Sequence, residues 1–141
     1  MKVRTVITLL TAVFVTACAE SASSLTPTDG KQTIAVTEDV LRQGISDTIR
    51  FGKIHSGEIA VREFVLRNET DAPMIIIRHE TSCHCTSFEY GKRPVVKGGE
   101  TTVKCSFDSR GEYGWQFKLV KLRLAGADEP LRIFVEADVT R

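Results

Sequence analysis

The sequence lacks most of what marks the common catalytic and nucleic-acid-binding classes. It has neither a GxGxxG nor a GxxxxGK stretch, so no loop of the kind that cradles a nucleotide phosphate is written into it. Charge of one sign is also missing: 19 Lys and Arg stand against 18 Asp and Glu, for a net charge of +1. No basic excess is available to neutralise nucleic-acid phosphates, and no acidic tail to act as a disordered arm. No Ser-His-Asp order and no carboxylate pair rises above chance, and no internal repeat is visible. Helical periodicity is nearly absent. No apolar run reaches the roughly 20 residues that a helix needs to span a bilayer.

What is present begins with a targeting segment. Lys2 and Arg4 precede an uncharged apolar run, Val6 to Ala17 (VITLLTAVFVTA), of the length of a secretory signal core. The run ends Val15-Thr16-Ala17-Cys18, which looks like a bacterial lipobox, an aliphatic residue and two small ones before the cysteine that takes the lipid. Residues 1–17 are therefore expected to be removed and Cys18 to be lipidated, with two or more acyl chains giving stable anchoring. Loss of the two cations Lys2 and Arg4 takes the charge from +1 to −1. Residues 18–30, with the Ser-, Thr-, Ala- and Pro-rich stretch AESASSLTPTDG, read as a flexible tether. The folded domain is expected over 31–141.

That domain reads as β. Apolar-polar alternation recurs between turn signals at Thr33–Val36, Thr48–Ile54, Ile59–Asn68, Met74–His79, Thr101–Asp108, Gly114–Leu124 and Leu131–Val139. About seven short strands in about 110 residues predict an all-β, immunoglobulin-like antiparallel sandwich. One short helical turn is expected at Thr37–Gly44 (TEDVLRQG), with Thr37 as cap, Glu38 and Asp39 in the first turn, and Gly44 at the end. In the last strand Leu131, Ile133, Val135, Ala137 and Val139 share one face, and Phe134 falls on the polar one. In Gly114–Leu124 the phase flips: Trp115, Phe117 and Leu119 alternate with polar residues, then Leu122 and Leu124 do. A β-bulge at Leu119–Val120 would explain the flip, as would a strand covered on both faces there.

Export changes how the cysteines read, because disulfides persist outside the cytoplasm. With Cys18 lipidated, Cys83, Cys85 and Cys105 remain, an odd number. Cys105 alternates with Val103 and Phe107 and is expected to be an inert core thiol. Cys83 and Cys85 flank His84 in TSCHCTS, residues 81–87. Residues two apart in an extended strand lie about 6.5–7 Å apart at Cα, at or beyond the disulfide limit, so a Cys83–Cys85 bond requires a bend. His84 tolerates unusual backbone angles less easily than glycine does.

Two rivals stay open. Cys83, Cys85, His79 and His84, with Met74 nearby, are soft donors suited to copper or zinc, although no second Cys or His pair supplies a full set. The pair could also work as a thiol-disulfide couple. His55, in a turn, is expected to be solvated.

Taken in order, these pieces resemble the DUF1573 family of bacterial exported proteins, common among lipoproteins of Bacteroidota. The family is similar in fold to immunoglobulin-like domains of the major sperm protein and Hydin type. The resemblance runs from Phe51 to Val139. It rests on Phe51-Gly52-Lys53-Ile54, on Gly57 with Phe64-Val65-Leu66-Arg67-Asn68, and on Pro73-Met74-Ile75-Ile76 leading to Ser82-Cys83-His84-Cys85-Thr86. It continues through Pro94 to Glu100, then Phe107-Asp108 and Gly114. His84 replaces a usual glycine, His79 and Cys105 usual aliphatics, and Arg50 a frequent Asp. The resemblance implies the sandwich and a place in the cell envelope, and no activity. The expectation is a lipid-anchored envelope module, binding or structural, without catalysis or a required cofactor. Its partners would be the membrane, through the lipid, and an unknown envelope protein, not nucleic acid.

Overall fold

A computed structural model describes residues 30–141; the expected signal, Cys18 and nearly all of the tether lie outside the described residues. Eight strands and one short helix follow in order: β1 Gln32–Val36, α1 Glu38–Gln43, β2 Ile45–His55, β3 Ile59–Asn68, β4 Ile76–Thr81, β5 Thr86–Tyr90, β6 Glu100–Asp108, β7 Gly114–Leu124 and β8 Leu131–Thr140. They form two four-stranded sheets, β1-β3-β6-β5 and β2-β8-β7-β4, packed face to face. This is the expected all-β sandwich.

Three expectations are corrected. The sheets are mixed, not purely antiparallel, since β1 pairs parallel to β3 and β2 parallel to β8. The chain crosses to the other sheet between β1 and β3, so it reverses twice and returns in its original direction. An eighth strand, β5, was not expected. It alternates Thr86, Phe88 and Tyr90 inward and pairs antiparallel to β6. The bulge offered as one explanation of the flip at Leu119–Val120 is absent, because β7 pairs with β8 without a break from Gly114 to Leu122. Gln116 and Lys118 face inward there, opposite Ala137 and Val135, while Trp115 and Phe117 point out to solvent. Both inward polar side chains sit at the strand's open end and are satisfied: the Gln116 amide donates to Tyr113 O at 2.7 Å, and Lys118 Nζ meets Glu112 Oε2 at 3.1 Å.

Real register shifts lie elsewhere, at Arg50/Gly52 in β2 and Ile76/Arg78 in β4. The first explains the Phe-Gly pair. Inward positions run Ile49, Phe51, Ile54, a spacing of two and then three, and all three are buried. Gly52 takes φ +73°, which absorbs the extra residue. The helix forms as its capping residues dictate. The Thr37 side chain accepts from Val40 N–H at 3.3 Å, and Gly44 closes the helix at φ +72°. A Cβ on Gly44 would lie 2.9 Å from Pro130 O, so a side chain there is barred twice.

The core lies between the sheets and holds Phe64, Leu66, Phe107, Leu122, Ile133 and Val135, all fully buried. Each end is closed by a buried polar residue. At the end where β3 and β5 finish, Asn68 donates its amide to Ala72 O (2.9 Å) and Val95 O (2.8 Å). Its Oδ1 accepts from Thr70 N–H (2.9 Å) and the Thr70 hydroxyl (2.7 Å). At the opposite end, where β2, β4, β6 and β8 finish, the Ser109 hydroxyl bridges His55 O and Glu58 O, each at 2.8 Å.

Candidate functional site: the Cys83–Cys85 turn

The motif closes the crossing from β4 in one sheet to β5 in the other. Ser82 carries the pairing one residue past β4: its N–H donates to Leu119 O at 2.9 Å, and its hydroxyl accepts from Leu119 N–H at 3.0 Å. The chain then bends. Cys83 and Cys85 are joined by a disulfide with their Cα atoms 5.3 Å apart, well inside the extended-strand distance. The bend needs no left-handed backbone at His84, since no non-glycine residue among those described has positive φ. Histidine is therefore tolerated where the resemblance would place glycine. Cys85 N–H donates to Cys83 Sγ at 3.1 Å, and Cys85 O accepts from Asp108 N–H at 2.8 Å, which fixes the turn to the end of β6. Both half-cystines are half-buried and His84 is exposed.

The remaining chemistry-bearing side chains do not gather at this turn. Cys105 lies on β6 between Val103 and Phe107, fully buried, and the same burial pushes its thiol up to about 12. Such a thiol carries almost no thiolate, the reactive form, at neutral pH. His79 turns inward from β4, with Nδ1 3.1 Å from the Tyr90 hydroxyl and its ring edge-on to Tyr90 at 5.7 Å. Burial raises the Tyr90 phenol above its ordinary range. His55 is exposed at the end of β2, not in the turn the sequence suggested, its Nδ1 3.4 Å from the Thr140 hydroxyl. Met74 is buried in the core and bridges Val95 through its backbone. Among the described residues no three His, Cys, Asp or Glu side chains converge closely enough to hold a metal ion. With both sulfurs in a disulfide, Cys83 and Cys85 offer copper or zinc no thiolate beside His79 and His84 until the bond is reduced.

The turn contributes little to global stability. A cross-link closing the three residues 83–85 removes only about 1.5 kcal/mol of chain entropy on the loop-closure relation. It is a local clip, and its effect is to set the shape of this crossing.

The sequence put Phe134 on the polar face of β8, and the structure sets it in a larger exposed surface beside the turn. Trp115, Phe117 and Phe134 form a continuous stack on the outer face of β7 and β8, with ring centroids 5.2 and 4.6 Å apart and planes within 10°. Next to it Arg141 lies over the Tyr113 ring at 4.9 Å. The signal was the phase flip in β7, whose first half is outward-facing apolar.

The model of the DUF1573 family, described as a protein of unknown function, matches residues 43–139, and the chain belongs to this family. No curated protein matches it. Among solved structures it is similar to a protein of unknown function from Porphyromonas gingivalis W83, with TM-score 0.56 and 15% identity over 64% of this chain and 43% of that one. It is also similar to the VesB protease of Vibrio cholerae, with TM-score 0.54 and 16% identity over 66% of this chain and 30% of that one. A third similarity is to the secreted serine protease VesC of the same organism, with TM-score 0.50 and 9% identity over 64% of this chain and 21% of that one. The chain spans less than half the length of each, and the likeness is one of fold.

Proposed function

We propose that this DUF1573 protein is a non-catalytic binding or structural module of the cell envelope, held to a membrane by lipid on Cys18. The observation that carries the absence of catalysis is the dispersal of its reactive groups. The motif cysteines are tied to each other, Cys105 is sealed in the core, and the three histidines point from separate elements to separate places. The anchor rests on the charged start, the apolar run and the VTAC sequence that ends it. Detergent-phase partition tests it: the chain made in a lipoprotein-processing bacterium should enter the detergent phase. Recovery in the aqueous phase, with residues 1–17 removed, would overturn the anchor.

A second reading is thiol-disulfide exchange at Cys83–Cys85. It is favoured by the half-buried disulfide on a surface turn beside exposed His84. In that reaction a partner thiolate attacks one sulfur and the other leaves as thiolate, forming a mixed disulfide. In the reverse direction, the Cys83 thiolate of the Cys85→Ser chain should attack a partner's disulfide and expel its other sulfur as thiolate, and the reductant-sensitive adduct should persist because Cys85 is not there to resolve it. The first reading expects none.

A further inference from the structure

Seven large apolar side chains are exposed among the described residues, and five of them lie toward one end of the sandwich. Ile59 and Val61 open β3, Trp115 and Phe117 open β7, and Tyr113 sits in the loop just before it. They flank the 55–58, 82–85 and 109–113 turns, Ile59 and Val61 on the outer face of one sheet and Trp115 and Phe117 on that of the other; the Ser109 hydroxyl ties together His55 O and Glu58 O, and Asp108 N–H donates to Cys85 O at 2.8 Å. Only Ile77 and Val96 lie elsewhere. The composition is that of a membrane interface, a Trp and a Tyr with an Arg stacked on the Tyr ring.

The chain enters the domain from the same side. β1 runs away from this end and parallel to β3, beginning with Gln32 beside Phe64, and Lys31 Nζ meets Glu63 Oε2 at 2.6 Å. Lys31, where the described chain begins after Gly30, therefore lies on the Ile59 side of Gln32. Cys18 is 13 residues from Lys31, so even a fully extended chain could not set the domain more than about 45 Å from whatever Cys18 is fixed in.

We propose that this end, carrying Tyr113, Trp115, Phe117 and Ile59, docks on the phospholipid headgroup layer of the membrane that anchors Cys18. The inference rests on the anchor reading. Docking would fix the orientation of the domain. The helix, Asn68 and the basic β5–β6 loop with Lys92, Arg93 and Lys97 would then face away from the membrane. The disulfide turn would lie at the membrane surface.

The protein supplies its own probe, because Trp115 is its single tryptophan and is 66% exposed. The full chain, processed in a bacterial host, is reconstituted into phospholipid vesicles whose acyl chains carry bromine near the headgroup or deep in the bilayer. The expected result is a blue-shifted Trp115 emission, quenched several-fold more by shallow bromine than by deep. Tyr113→Ser with Phe117→Ser should lose most of that quenching without loss of fold. Intact mass of the same sample reports the acyl chains separately. Acyl chains present with no quenching would overturn the docking and leave a protein partner as the occupant of this end. Acyl chains absent would overturn the anchor reading. The docking alone is then decided on chain 18–141 held by an N-terminal histidine tag on nickel-chelating vesicles, where unquenched emission would overturn it.

Discussion

The two ends of the sandwich use the same device beneath and show different surfaces above. Each is closed by a buried polar side chain that collects loop carbonyls: Asn68 with four hydrogen bonds at one end, Ser109 with two at the other. Over Asn68 lie α1 and a loop bearing Lys92, Arg93 and Lys97. Over Ser109 lie the disulfide turn and most of the exposed apolar side chains. The comparison separates what holds the ends shut from what they present. Closure needs a few satisfied polar atoms under each set of loops, and the outer residues take no part in it.

Substitutions should break the symmetry in a graded way. Asn68→Ala should cost most, about 2–4 kcal/mol, because it strands the buried Thr70 N–H, takes one partner each from Ala72 O and Val95 O, and leaves a cavity under the loops. Hydrogen exchange should quicken at the amides of Thr70, Met74 and Gly98 and stay unchanged at Ser109. Ser109→Ala should cost about 1–3 kcal/mol and show the reverse pattern, loosening the 55–58 turn only. Equal loosening of both ends in either variant would contradict independent closure. The double change Cys83→Ser and Cys85→Ser should lower stability by about 1.5 kcal/mol or less, read from the denaturation midpoint. Trp115→Ser should move it by only about 0.5 kcal/mol, since the ring is mainly in solvent.

The smallest effect is a titration at the Ser109 end. Asp108 accepts from Arg110 Nε at 2.9 and 3.0 Å and from Arg110 N–H at 3.0 Å, and these bonds hold its carboxyl down at about 2. A depressed carboxyl stabilises the fold above its ordinary value and loses that contribution as pH falls through about 2. In Arg110→Ala an NMR titration should find Asp108 back toward the usual range.

What was legible in the sequence follows from what alternation encodes. In β8 five inward apolar residues alternate with polar ones, and the strand lies where that pattern places it. The Thr37 cap and Gly44 stop mark the helix, because both rest on local backbone chemistry. Cys105 sits in the core because its neighbours at two-residue spacing fixed its side. Strand order is not local, and the two parallel pairs had no signature. β5 was hidden because its first two residues, Thr86 and Ser87, fall within the TSCHCTS motif and leave only Phe88–Tyr90, too short a run to show alternation. The outward face of Trp115 and Phe117 was lost because polar residues at an open strand end can face inward when partners lie within reach, as Glu112 does for Lys118. The bend at Cys83–Cys85 depends on Leu119 and Asp108, far along the chain, holding its two sides.

Intact-mass analysis of the chain taken from bacterial membranes, alkylated under unfolding but non-reducing conditions, tests the central claim most directly. An envelope module anchored at Cys18 and clipped at Cys83–Cys85 predicts a mass beginning at residue 18, increased by acyl chains, with one alkylated thiol belonging to Cys105. A mass without acyl chains, or with alkylation at Cys83 and Cys85, would contradict it.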